Sequence, residues 1–135
     1  MRIVLDTNSL IQCVSYNSTY RSVWQSVLKG QNTLCISNEI LFEYEEILSS
    51  FFSPIFAETV IQALLESEHV LLVNPAFHFN LIAVDPDDNK FVDCAIQANA
   101  RYIVTNDKHY DVLRQIEFPK VGVIKLMDFL LMIHG

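Results

Sequence analysis

The stretch that decides the fold is RIVLDTN, residues 2–8. Its first four residues are dominated by branched apolar side chains, which suits a short strand buried on both faces, and Asp6, Thr7 and Asn8 then open a helix. The same phrase recurs along the chain. TLCI at 33–36 runs into Ser37 and a long helical pattern, RYIVT at 101–105 runs into Asn106 and Asp107, and VGVIK at 121–125 precedes a final apolar helix over 128–133. Helical patterns fill 20–29, 38–52, 55–67 and 87–99, residues 69–73 read as a further short strand or a packed extension, and 74–86 is expected to be irregular. Strands alternating with helices imply an α/β fold with a mostly parallel central sheet covered on both faces.

Composition narrows the function. With 135 residues, sparse Gly and Pro and no repeat, residues 1–135 are expected to form a single domain. Lys plus Arg number 9 against 16 Asp plus Glu, a net charge of −7, which excludes binding through a broad basic surface. Gly30, Gly122 and Gly135 are the only glycines, so neither a Gly-rich phosphate loop nor a dinucleotide fingerprint can be written. Cys13, Cys35 and Cys94 lie too far apart for a disulfide framework or a paired-Cys zinc site and read as buried, reduced thiols. Asp6 interrupts the first apolar run before it could form a signal-peptide core, and no stretch approaches the roughly 20 apolar residues of a membrane helix. A cytoplasmic protein without membrane contact is the expectation.

Three acids fall at related places: Asp6 after the first strand, Asp107 after RYIVT, and Asp88 at the start of the helix over 87–99. In an open parallel sheet the carboxyl ends of the strands and the helix starts line one crevice, so these side chains can converge. Helix capping is the competing explanation for each. On the 87–99 helix the apolar stripe is Phe91, Val92, Ala95 and Ala98; Asp88 shares that stripe, and Asp93 falls on the opposite, solvated face. Asp85 and Asp87 keep a capping role beside Pro86. On the 38–52 helix the stripe is Ile40, Tyr44, Ile47, Leu48 and Phe51. Glu43 lies nearer to it than Glu39, Glu45 or Glu46, and is the fourth candidate, against the alternative of a solvated acidic face.

Four carboxylates in one crevice repel one another, and a divalent cation removes the conflict. Hard oxygen donors without paired His or Cys suit Mg²⁺ or Mn²⁺, and one or two such ions are suited to phosphodiester hydrolysis. Lys90, Arg101 and Lys108 are candidate local cations or ordinary solvated surface.

These residues resemble the PIN domain family, in particular its small prokaryotic branch of toxin components from toxin–antitoxin pairs (VapC-like). The matching phrases are RIVLDTN at 2–8, Ser37 followed by LFE at 41–43, DPDDNKF at 85–91 and YIVTND at 102–107. The resemblance implies a flavodoxin-like three-layer α/β/α fold, ribonuclease activity on RNA, pairing with a small antitoxin protein, and self-association into a homodimer as a further expectation. It also implies that Asp6, Glu43, Asp88 and Asp107 are the catalytic and metal-holding quartet, with Asn8 and Thr105 as supporting polar residues. Local backbone bonding explains Asn8 and Thr105 equally well. Asn106 stands where the family usually has Gly, and Asn is among the residues that tolerate a left-handed turn there.

Other readings fare worse. A receiver domain would need an acidic pair after the first strand, a haloacid-dehalogenase phosphatase would need an acid at position 8, and the GTPase phrase Asn-Lys-x-Asp is not matched by NDKH at 106–109. The alternative from another class is a PIN-like module that binds RNA or a protein partner without turnover. The apolar phrase FLLMI at 129–133 would suit an interface, although a buried helix also explains it, and Tyr16, Tyr20 and Trp24 read as core. His69, His78, His109 and His134 form no i, i+4 metal pair and read as surface or satisfied core.

Overall fold

The computed structural model describes residues 1–134. Strands β1 (Arg2–Leu5), β2 (Thr33–Ile36), β3 (Val70–Leu72), β4 (Tyr102–Val104) and β5 (Val123–Ile124) form one sheet in the order β3-β2-β1-β4-β5. Every pairing is parallel. The helices are α1 (Thr7–Val14), α2 (Arg21–Leu28), α3 (Asn38–Phe51), α4 (Pro54–Glu66), α5 (Asn89–Gln97) and α6 (Leu126–His134), with short 3-10 stretches at Pro86–Asp88 and Lys108–Gln115. Ile3, Val4 and Leu5 are all fully buried. Successive strand side chains face opposite sides, so helices must cover both faces of the sheet, giving the expected three-layer α/β/α arrangement.

The chain steps outward from β1 to β2 to β3, then returns across the sheet to pair β4 with the other side of β1 and ends at β5. That reversal puts the switch point between β1 and β4, where a parallel sheet leaves a crevice beyond its carboxyl ends. Local chemistry fixes the helix starts. Asp6 accepts from the Ser9 N–H, Ser37 from that of Ile40, and Ser53 from that of Phe56, with Pro54 opening the first turn of α4. Where the chain enters β5, a Cβ on Gly122 would lie 2.4 Å from the Arg101 carbonyl oxygen, so only glycine lets the two strands close.

Several expectations are corrected. Asp93 is 3 % exposed instead of facing solvent, because the irregular segment 74–85 folds over the outer side of α5 and uses this carboxylate as a backbone acceptor. Tyr16 is 86 % exposed, with the Arg21 guanidinium 4.9 Å from its ring centroid, while Trp24 does enter the core. Phe51 is exposed at the last position of α3, and the half-buried Phe52 packs in its place. On α6, Phe129 and Leu130 are buried and Leu131 and Met132 are exposed, so only one face of that apolar helix belongs to the core. Residues 108–115, for which the sequence offered no element, form a 3-10 stretch around buried Tyr110 and Leu113. The three cysteines are buried free thiols, as expected.

Tyr44 joins the core to the crevice. It is fully buried, and its hydroxyl donates to the Leu5 carbonyl oxygen at 2.5 Å, one residue before Asp6. Removing that donor leaves a buried carbonyl without its partner, which costs about 1–3 kcal/mol. Tyr44→Phe is therefore expected to lower the unfolding free energy by that order in urea titration, whereas Phe42→Ala, at a side chain 73 % exposed, is expected to leave it nearly unchanged.

Candidate metal centre

Asp6 ends β1 and caps α1, so its carboxylate stands at the switch point, only 6 % exposed. Its Oδ1 accepts the Ser9 N–H at 2.8 Å, and its Oδ2 accepts the hydroxyl of Thr105, which leaves β4 beside it. Burial pushes this carboxyl above the usual range, the bonds from Thr105 and Ser9 pull it back, and the charge of Asp107 adds to the rise. The Thr105 hydroxyl also accepts the Asp107 N–H at 3.0 Å. One hydroxyl thus links the carboxylate at the end of β1 to the backbone that carries Asp107. Asp107 caps the 3-10 stretch through the His109 N–H at 2.9 Å. Asn106 does not take the left-handed conformation; its side-chain oxygen accepts the Leu126 N–H at 3.0 Å and ties this turn to the start of α6.

Asp88 sits where the 3-10 turn Pro86–Asp88 passes into α5, and its side chain makes no capping bond. Its Oδ2 is buried and makes no hydrogen bond of good geometry, and the Tyr110 hydroxyl, equally buried and unpaired, lies close enough to pull its pKa down. Burial, with the charges of Asp85 and Asp107, raises its pKa to about 6. Around it lies His109, whose Nδ1 is 3.6 Å from Asp88 Oδ2, 3.5 Å from Asp107 Oδ1 and 3.9 Å from Asp85 Oδ2. Asp85, Asp88 and His109 can each offer one donor atom within 4.8 Å of the others.

Glu43 stands on the opposite wall, half-buried on α3. Its Oε1 accepts from Lys90 Nζ at 2.6 Å and its Oε2 from the Thr7 hydroxyl. Asp6, Glu43, Asp88 and Asp107 line a single cleft of about 240 Å³, together with Asn8, Asp85 and Asp87. The four expected acids are thus brought together, but unequally, since Glu43 is neutralised by a lysine and Asp88 is not. Asn8 lines the same cleft and makes no side-chain hydrogen bond among the described residues, whereas Thr105 touches two of the acids. Sequence reasoning missed three contributors: Thr7, His109 and the Lys90 partnership with Glu43. Asp85, read only as a cap, does accept the Asp87 N–H at 3.2 Å and also faces His109. His109 was detectable only through its place two residues beyond a capping aspartate.

The cleft fits a divalent cation. It offers crowded carboxylate oxygens, of which those of Asp6 and Asp88 are pushed towards protonation chiefly by burial, a buried Asp88 oxygen without a well-formed hydrogen bond, and one imidazole. Asp88 titrates near 6 in the folded chain and near 3.9 in an unfolded one. The folded state therefore binds this proton more tightly, and stability falls as pH rises from about 4 to about 6, after which the penalty is complete. Asp88→Asn removes it. In the absence of metal the variant is expected to melt about 2–5 °C higher than the native chain at pH 8, on the scale of about 1 kcal/mol, and to show no advantage at pH 3.5. Calorimetry at the two pH values checks the sign.

No curated protein sequence matches the chain. Among solved structures it resembles a chain of VapBC2 from Rickettsia felis bound to a DNA fragment from its promoter, with a TM-score of 0.63 and 18 % identity over 93 % of this chain and 98 % of that one. It also resembles the PIN domain endonuclease Utp24, with a TM-score of 0.53 and 16 % identity over 92 % of this chain and 84 % of the other. At these identities the likeness is one of fold. The PIN domain sequence family itself matches residues 2–109, from the first strand through Asp107 and His109. The chain belongs to the PIN domain family.

Proposed function

We propose that this PIN domain is a metal-dependent endoribonuclease, using one or two Mg²⁺ or Mn²⁺ ions, and that it serves as the toxin of a toxin–antitoxin pair in the cytoplasm. The observation that carries the reading is the convergence of acids from β1, α3, the start of α5 and the end of β4 on one cleft, with a buried Asp88 oxygen left open. The fold shared with a VapBC2 chain and with the Utp24 endonuclease supports it, the former also favouring a small antitoxin as partner. No helix among the described residues is long and apolar enough to cross a membrane.

Asp6, Asp88 and Asp107 would hold the cation, with Asp85 and His109 offering further donors beside Asp88 and Glu43 at the edge of the site. A bound ion would supply positive charge against the phosphate, lower the pKa of an attacking water and stabilise the departing oxygen. The chain's own part is orientation. Thr105 and Ser9 fix both oxygens of Asp6, Thr105 and the 3-10 cap fix Asp107, and Thr7 and Lys90 fix Glu43. Lys90 and His109 place cationic or proton-bearing groups at the rim of an otherwise acidic cleft, where a polyanion must enter. In-line attack by water leaves a 5′-phosphate and a 3′-hydroxyl, and no side chain is required to form a covalent intermediate.

Purified protein is expected to cut single-stranded RNA with Mn²⁺ present, to stop when the ion is chelated, and to lose at least about 100-fold in rate as Asp6→Asn, the scale of removing a transition-state electrostatic contact. Cleavage that survives both chelation and the substitution would overturn the reading. A separate measurement concerns binding alone. Millimolar Mg²⁺ or Mn²⁺ is expected to raise the melting temperature of the native chain, because the ion binds the folded cluster and not the unfolded one. Asp88→Asn should blunt that rise. Stabilisation by metal without cleavage of any RNA would instead assign the chain to binding without turnover.

A further inference from the structure

A second, larger cleft of about 360 Å³ opens on the other side of Lys90 and Asp87, between the start of α3 and the segment 74–89. Its size falls within the roughly 300–1,000 Å³ typical of small-ligand sites. Two features distinguish it from ordinary surface. The first is an Asp–His pair. Buried Asp93 accepts the Phe79 N–H at 3.1 Å through Oδ1, and its Oδ2 lies 3.2 Å from Nδ1 of His78, whose side chain is 69 % exposed. A carboxylate can only accept, so Nδ1 carries the hydrogen, and the neutral ring keeps Nε2 as an acceptor for a ligand. The second is a set of side-chain amides. Asn74 uses its oxygen to accept the Asn38 N–H at 3.1 Å and so keeps its NH₂ group free, while the exposed side chains of Asn38 and Asn80 line the same space.

We propose that this cleft is a nucleotide subsite, in which a base flanking the scissile phosphate is read by His78 and the Asn amides while Lys90 takes the intervening phosphate at the boundary with the acidic cleft. The inference rests on the nuclease reading for its substrate and extends it to a specificity site. Side-chain amides and an imidazole of fixed tautomer offer donors and acceptors to the edge of an unstacked base, the form in which single-stranded RNA is read. Lys90 fits the boundary role because it lines this cleft while its ammonium reaches Glu43 in the other. Asp93 is the positioning residue, since both of its oxygens are already engaged, one by the Phe79 N–H and the other by His78 Nδ1, whose ring it holds in place.

The four ribonucleoside 5′-monophosphates, titrated into the metal-free full chain, provide the test, read by NMR at the imidazole signals of His69, His78, His109 and His134. At least one nucleotide is expected to shift the His78 signals saturably, and His78→Ala and Asn74→Ala to weaken its binding by about 2–10-fold, the worth of a hydrogen bond. In Mn²⁺-supported cleavage of mixed-sequence RNA, His78→Ala is expected to redistribute the cuts among flanking bases. Asp93→Asn should do the same, and a purely structural role for the pair would lower total cleavage without changing the pattern. No saturable shift at His78, or an unchanged cleavage pattern in His78→Ala, overturns the proposal. A saturable shift in a chain that cuts no RNA overturns the nuclease reading and leaves the nucleotide site standing.

Discussion

A carboxylate buried at the end of the central strand is the constraint on which this site depends. An unpaired buried charge costs far more than a domain of this size can spare, so Asp6 persists only because both of its oxygens have donors. One donor is local, the Ser9 N–H of the helix that Asp6 itself caps. The other, the Thr105 hydroxyl, comes from the neighbouring strand and is itself an acceptor for the Asp107 backbone. A β1–β4 pairing shifted by one residue would point Thr105 to the other face of the sheet and break its bond to Asp6. The register that pairs Leu5 with Val104 is therefore also what assembles the acids.

Charge is distributed unevenly across the cleft. On the α3 wall, Glu43 is matched by Lys90 and by a hydroxyl. On the α5 wall, Asp85, Asp88 and Asp107 face one imidazole and one another, and Asp88 keeps an oxygen with no donor. The compensated wall can be rigid without any ion. The uncompensated wall holds unfavourable charge that a cation would relieve, so an ion bound in the cleft would gain most on that side. A chain with a net charge of −7 would thereby meet a polyanion through a few localised positive charges.

Helix α5 divides the two clefts, and it is buried on more of its circumference than a simple amphipathic helix. Phe91, Val92 and Ala95 pack inward, while Asn89 and Asp93 serve as acceptors and donors for the irregular segment that lies outside. Asn89 exchanges two hydrogen bonds of 2.9 Å with the backbone of Ile82, so both polar groups of this buried residue are satisfied although the segment has no regular structure. These polar side chains hold the floor of the second cleft in shape.

The sequence by itself determined the strand phrases, the parallel α/β class and the helix starts at Asp6 and Ser37, and it singled out Glu43 among the acids of its helix. All of these follow from local period and from the chemistry of the first helical turn, which act within a few residues. It placed Asp93 in solvent and Tyr16 in the core because periodicity describes one buried face and says nothing of a loop that folds over the other, or of a turn that interrupts the spacing between Tyr16 and Tyr20. Only the tertiary structure decided that Thr105 would bridge Asp6 and Asp107, that Lys90 would neutralise Glu43 across 47 positions, and that His109 would join Asp85 and Asp88. Those contacts join residues far apart in sequence. The geometry that brings them together is set by sheet order and register, which no single segment encodes.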